Sequence, residues 1–141
     1  MDIKERVREF YVENNYNCAE GTLKAADEAL GFELSPDGLK IIGAFGGGMA
    51  SGSTCGALAG SVAAIGQALI KDRAHEAPAL REACKGYVEK FRNEFGSLDC
   101  AELRPKYAVP GDKCMAIVGK NSEMLEAYIR ELLAAEEAKQ E

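Results

Sequence analysis

The chain has 141 residues, with 23 acidic and 17 basic side chains, and its formal net charge of −6 argues against nucleic acid or an anionic membrane surface as a partner. This length is enough for one domain with a substantial core, and we predict a single helical domain over residues 1–141. The N-terminal residues are charged and helical in pattern, unlike a signal peptide, so we expect a cytoplasmic protein. In a reducing compartment, the five cysteines favour catalytic, metal-binding or redox roles over structural disulfides.

Two helices are predicted at the start of the chain. The first carries an apolar stripe and ends near residues 14–15, which form a polar turn. Its stripe consists of Ile3, Val7, Phe10 and Tyr11. The motif N-C-A-E at 17–20 reads as a capping box, in which the first residue caps the helix and the glutamate stands three residues on. It predicts a second helix from about Cys18 to Leu30, which Gly31 ends.

The stretch from Ile41 to Ile70 contains no charged side chain. Ser35, followed by proline, predicts a short helix that leads into it. The first half of the stretch has too many glycines for a regular helix, and it predicts a tight loop with positive φ angles. The candidate cofactor-binding amides of this loop belong to Gly46, Gly47, Gly48 and Gly52. The second half predicts a buried central helix, capped by Ser53 or Thr54 and too short to span a membrane.

Two long helices are predicted in the second half of the chain. An apolar stripe over residues 80–95 is closed by a glycine. Cys84 lies on this stripe and is interpreted as structural, and His75, in the polar connection before it, as a surface residue. The last helix is predicted to begin near Cys114 and to extend to about Leu132. Residues 134–141 are acidic, and we expect them to form a frayed, solvated tail.

These patterns together predict an all-α fold, a helical bundle of about six helices with the glycine-rich loop before its central helix. Gly56 and Gly60 lie four residues apart, a spacing that favours close packing against another helix. The many Ala and Gly residues suit such packing. Helical bundles with small residues on their surface often dimerise, so a homodimer is one expected form.

Four of the five cysteines follow a helix-capping residue and are predicted in the first turn of a helix. They are Cys18, Cys55, Cys100 and Cys114. D-C-A-E at 99–102 repeats the capping pattern of the second helix, and Asp112 is the predicted cap of the last one. The positive end of a helix dipole stabilises a thiolate. Because aspartate caps oppose this effect, we expect Cys18 and Cys55 to be the more acidic thiols.

The spacing of the cysteines excludes several familiar sites. The chain has no C-x-x-C motif, which excludes thioredoxin-like motifs, zinc ribbons, the usual ferredoxin spacings and covalent c-type haem. Four dispersed thiolates can still meet, because helix N-termini at one end of a bundle are neighbours in space. Three outcomes remain open at this point: two disulfide-forming pairs, a four-cysteine metal or iron–sulfur site, and unrelated thiols.

Four segments of the chain, in this order and spacing, resemble a known family. They are Y-N-C-A-E at 16–20, F-G-G-G-M-A-S-G-S-T-C-G-A-L-A-G at 45–60, D-C at 99–100, and Cys114. They resemble the redox-active proteins named C_GCAxxG_C_C for their cysteine motif, and the resemblance covers about residues 11–132. It implies a small all-helical protein, of a kind found mostly in anaerobic bacteria and archaea, with redox work by the four cysteines. A similar domain occurs in split-Soret cytochromes c, but their haem attachment motifs are missing here.

The resemblance leads to a first hypothesis of a thiol-redox protein, a candidate thiol oxidoreductase that works with a redox partner protein or a small electron carrier. In it, Cys18 and Cys55 are the attacking and resolving pair, and Cys100 with Cys114 forms a second couple. In the alternative, the same four cysteines hold a metal ion or an iron–sulfur cluster for electron transfer or metal handling. A third reading is an interaction protein whose cysteines only pack.

Overall fold

A computed structural model of the chain describes residues 1–140, and Glu141 lies outside the described residues. Within this range the fold is made of helices and contains no β-strand, so the predicted all-α class is confirmed. The α-helices are α1 (Ile3–Arg8), α2 (Cys18–Leu30), α3 (Pro36–Gly43), α4 (Gly56–Leu69), α5 (Leu80–Phe95), α6 (Cys100–Tyr107) and α7 (Met115–Gln140).

Local capping determines where the early helices begin and end. Asn17 accepts a hydrogen bond from the Glu20 backbone N–H at 2.9 Å, and the Glu20 carboxylate accepts one from the Asn17 N–H at 3.0 Å. This is the predicted capping box, and α2 has the predicted bounds. Gly31 ends the helix with a φ of 70°. The Ser35 hydroxyl accepts from the Gly38 N–H at 3.0 Å and starts α3, also as predicted.

The glycine-rich segment between α3 and α4 is irregular, as predicted, and it includes a tight turn in which the Ser53 N–H donates to the Gly48 carbonyl at 3.0 Å. Gly47, Gly48 and Gly52 have positive φ angles of 64°, 65° and 72°. Met49 and Ala50, between them, also have positive φ angles, of 59° and 57°. A left-handed conformation in a residue with a side chain costs energy, so the surrounding packing holds this loop in a strained shape.

The core is built by α4 packing between α2 and α7. A Cβ atom at Gly60 would come within 2.6 Å of the Ala19 carbonyl oxygen, which confirms the predicted close approach of α4 to another helix. A buried polar network joins three helices: the Tyr87 hydroxyl donates to Asn121 Oδ1 at 2.6 Å, and Asn121 Nδ2 donates to Ser61 Oγ at 2.9 Å. The largest fully buried apolar side chains include Val7, Ile65, Phe91, Leu103, Ile117, Leu125 and Ile129.

One boundary differs from the prediction. The segment expected to be a frayed tail continues as helix to Gln140, because residues such as Ala, Glu and Lys favour helix. Helix α6 is a short helix of eight residues, which runs through Pro105 to Tyr107. The missing proline N–H would pair with the carbonyl of Ala101, and that residue is exposed to water. Across residues 1–140, none of the helices combines the length and the apolar character that a bilayer crossing requires.

Candidate functional site

The structure brings the four motif cysteines together. Cys18, Cys55, Cys100 and Cys114 all line one small cavity of about 40 Å³. Each lies at the start of a different helix: two are the first residues of α2 and α6, and two directly precede α4 and α7. The remaining walls are mainly apolar, and they are formed by Tyr11, Gly47, Gly56, Leu103, Arg104, Ile117 and Val118. We call this cavity the cysteine pocket; Cys84 does not line it.

Small residues let the starts of α2 and α4 approach each other. Cys18 Sγ lies against Gly56, the residue after Cys55, and a Cβ atom at position 56 would overlap the sulfur. Asn17, the cap of α2, donates from Nδ2 to the Gly43 carbonyl at 2.8 Å. It also fills the space beside Gly46, where a Cβ atom would overlap its amide. The first two cysteines are therefore neighbours.

A short backbone pairing positions Cys55 and Cys100. Thr54 and Asp99 form an isolated antiparallel bridge. The Cys55 N–H donates to the Leu98 carbonyl and the Cys100 N–H donates to the Ser53 carbonyl, both at 2.7 Å. Because these two bonds flank the bridge, they hold the backbones of the two cysteines close to each other.

This pairing also explains two corrections to the predicted caps. Ser53 and Thr54 take part in the extended pairing, and Cys55 itself occupies the N-cap position of α4. Asp99 stands at the N-cap position of α6, but its side chain makes no capping hydrogen bond, so 99–102 is not the predicted capping box.

Tyr11 and Arg104 are site residues that the sequence analysis missed. The Cys114 backbone N–H donates to Tyr11 Oη at 3.1 Å, and Lys113 Nζ donates to the Tyr11 carbonyl at 3.0 Å. The carboxylate of Asp112, the predicted cap of α7, accepts a hydrogen bond from the Arg8 guanidinium at 2.7 Å. The sequence pattern predicts Tyr11 only as part of the apolar stripe of the first helix. No short motif marks either residue, because contacts distant in sequence bring both to the pocket.

Burial, more than the helix dipole, sets the protonation of Cys55. It is only 7% exposed, and burial raises the pKa of its thiol to about 11. The backbone amides of Leu58 and Ala57 lower this pKa in part, while negative charge on Cys18 or Cys100 would raise it further. The prediction that Cys55 is among the more acidic thiols is therefore wrong.

Cys114 and Tyr11 are also affected by burial. Burial raises the pKa of the Cys114 thiol, while the positive charge of Arg104 and the Tyr11 hydroxyl act in the opposite direction. Burial raises the pKa of Tyr11 to about 12, so its hydroxyl keeps its proton at neutral pH. Tyr11 is therefore a hydrogen-bond donor available to a sulfur in the pocket.

The geometry does not fit a metal centre. Within residues 1–140, no group of three or more Cys, His, Asp or Glu side chains is arranged so that it could hold a metal ion. Of the loop glycines predicted to bind a cofactor, Gly47 lines the pocket, whereas Gly48 packs against Cys100 and Gly52 against Ala101. Cofactor binding by their amides stays a prediction.

The fold is all-α, and four cysteines at the starts of helices line one small pocket. These two features define a class of small cysteine-based helical proteins. Residues 16–128 match the model of the family described as "Putative redox-active protein (C_GCAxxG_C_C)", and the chain belongs to this family. The chain is also 34% identical over 122 residues to a protein of Archaeoglobus fulgidus whose name is "Uncharacterized protein". That alignment covers 77% of this chain and 81% of the relative. No solved structure matches the chain.

Proposed function

We propose that this protein carries out thiol–disulfide exchange through Cys18, Cys55, Cys100 and Cys114. One observation carries the proposal: four cysteines from four different helix starts line the same small cavity. A packing role alone would not require all four cysteines to line the same cavity. The family description supports redox activity as the class of function.

We divide the four cysteines into two couples: Cys18 with Cys55, and the remaining two pocket cysteines, Cys100 with Cys114. Cys18 Sγ lies against the residue that follows Cys55, which favours the first couple. Within it, Cys55 is the resolving thiol, since its raised pKa keeps it protonated at neutral pH, and Cys18 is the attacking one. Oxidation of a couple forms one S–S bond and releases two electrons and two protons. The electrons reduce a disulfide of a redox partner protein or of a small electron carrier.

The pocket offers two conditions that suit this chemistry. Its apolar walls and small volume leave room for few water molecules and keep larger oxidants away from the thiols. The positive charge of Arg104 and the protonated hydroxyl of Tyr11 favour a thiolate at the Cys114 side of the pocket. A sulfur that carries negative charge during exchange would be stabilised there.

A thiol count on anaerobically purified protein, with metal analysis and disulfide mapping, tests the proposal. We expect controlled oxidation to remove four thiols and to give the pairs Cys18–Cys55 and Cys100–Cys114. Cys18→Ser should leave only one disulfide, while the matched control Cys84→Ser should leave both, since Cys84 lies outside the pocket. Stoichiometric bound metal, or four motif thiols that resist oxidation, would refute the proposal.

A further inference from the structure

An open groove adjoins the cysteine pocket. Its volume is about 480 Å³, within the range of about 300–1,000 Å³ that small-molecule sites occupy. The groove is formed by the glycine-rich loop on one side and the first turns of α6 on the other. Its lining consists of Gly46, Gly47, Ala50, Gly52, Cys100, Ala101, Arg104 and Pro105.

Cys100 connects the groove with the pocket. It lines both cavities, together with Gly47 and Arg104, and it is the one cysteine of the five that does so. The cysteine pocket, at about 40 Å³, has no room for a substrate. An exchange partner can therefore bind in the groove and meet the pocket at Cys100.

The glycine-rich loop keeps the groove open. A Cβ atom at Gly47 would meet no atom within 4 Å, so this residue faces empty space. Gly48, with a φ of 65°, packs so closely that a Cβ atom there would lie 2.9 Å from Cys100 Cβ. The loop therefore supports the back of Cys100 while leaving its groove side free.

Arg104 gives the groove its charge. It stands four residues after Cys100 on α6, a spacing that puts the two side chains on one face of a helix, with about 5–6 Å between their Cβ atoms. The groove lining contains no acidic side chain. Among residues 1–140, no carboxylate forms an ion pair with Arg104. Its guanidinium is thus free to bind an anion, for which a carboxylate is a well-matched partner.

We propose that this groove binds a small disulfide that carries a carboxylate near its S–S bond, with the carboxylate at Arg104 and one sulfur at Cys100. The inference rests on the proposed thiol–disulfide function and names its substrate class. The Cys100 thiolate attacks one substrate sulfur, the substrate S–S bond breaks, and the other half leaves as a thiolate. Cys114 then attacks the Cys100 sulfur and releases the second half. The substrate gains two electrons, the two cysteines become a disulfide, and their two protons pass to the released thiolates.

Three disulfides of similar size and different charge test this inference on the reduced full chain. They are dithiodipropionate, which is anionic, hydroxyethyl disulfide, which is neutral, and cystamine, which is cationic. The rate of protein oxidation is measured by intact mass, and the first adduct is located by peptide mapping after an acid quench. Arg104→Gln is compared with Lys106→Gln, which removes an exposed cation of the same helix that lines neither cavity.

We expect Arg104→Gln to slow the reaction with dithiodipropionate by about two- to fivefold relative to the neutral reagent, the effect of one exposed charge pair. The rate with the neutral reagent reports any effect of the lost charge on the thiols themselves. Relative to that rate, cystamine should react faster, and the first adduct should lie on Cys100. Lys106→Gln should change none of the three rates. The inference fails if Arg104→Gln slows all three reagents equally, if Lys106→Gln has the same effect, or if the first adduct lies elsewhere. If the unmodified protein reacts with none of the reagents, the proposed function itself fails, and the inference with it.

Discussion

Cys18 Sγ packs directly against Gly56, where a Cβ atom would overlap the sulfur and would lie 3.2 Å from the Gly46 Cα. Gly56→Ala must therefore displace Cys18 or the glycine-rich loop. We expect it to lower the free energy of unfolding by about 1–3 kcal/mol, the usual cost of overpacking. Chemical denaturation measures the change.

Gly66→Ala is the matched control for that substitution. Gly66 lies in the same helix, and a Cβ atom there would meet only Ile70 Cδ1, at an ordinary 3.6 Å. Here alanine should raise stability by about 0.5–1 kcal/mol, because glycine weakens a helix interior. Equal effects of the two substitutions would mean that the contact between Cys18 and Gly56 does not constrain the fold.

The two central glycines of the loop should differ in their tolerance of alanine. Both Gly47 and Gly48 have positive φ angles, so each alanine is strained by about 1–2 kcal/mol. Gly48→Ala should cost about 1–3 kcal/mol more, because its Cβ atom would also come within 2.6 Å of the Ser53 carbonyl oxygen. Denaturant midpoints of the two variants give this difference directly. A Gly47→Ala variant that is equally or more unstable would contradict the packing argument.

The reactivity of Cys55 should depend on pH in an unusual range. With a pKa of about 11, compared with an ordinary 9.0, its thiolate fraction below pH 9 is about a hundredfold smaller than that of an ordinary cysteine. The rate of its alkylation by iodoacetamide should rise about tenfold per pH unit and continue to rise above pH 9, as followed by peptide mass spectrometry. A plateau near pH 9 would show that burial does not raise this pKa.

The same pKa shift should affect stability at high pH. Above its unfolded pKa, Cys55 loses its proton more readily in the unfolded chain than in the folded one, so unfolding is favoured as pH rises from 9.0 towards about 11. Below pH 9 the thiol is protonated in both the folded and the unfolded state, so its full contribution to the free energy of unfolding is present there. Unfolding curves of Cys55→Ala should show a smaller loss over this interval. If Cys55→Ala loses stability as steeply as the unmodified protein, groups other than Cys55 cause the loss.

Asn121 and Ser122 are neighbouring buried polar residues of α7 with opposite expected sensitivities. Asn121→Ala removes the side-chain partner of both the Tyr87 hydroxyl and Ser61, although each hydroxyl keeps a bond to a backbone carbonyl. Loss of these two buried hydrogen bonds should cost about 1–3 kcal/mol in total. Ser122→Ala should be neutral or slightly stabilising, since its buried hydroxyl has no hydrogen-bond partner among the described residues. Thermal and denaturant unfolding compare the two. A destabilising Ser122→Ala would point to a partner of that hydroxyl.

The sequence by itself determined the local architecture of this protein. The capping box at 17–20, the serine cap of α3 and the glycines that end α2 and α5 all lie where the structure has them. These features depend on hydrogen bonds between residues three to five positions apart, so their chemistry is readable from short motifs. The family resemblance rests on the same kind of information, namely cysteine order and spacing.

Only the tertiary structure decided how the cysteines are used. The pairing of Thr54 with Asp99 joins segments 45 residues apart, and it replaces the local caps predicted for Cys55 and Cys100. The pKa of Cys55 depends on burial, a sum over distant packing contacts that outweighs the local helix dipole. The convergence of the four thiols beside Arg104 likewise depends on how α2, α4, α6 and α7 pack. The local sequence at the start of one helix does not determine where the start of another helix lies.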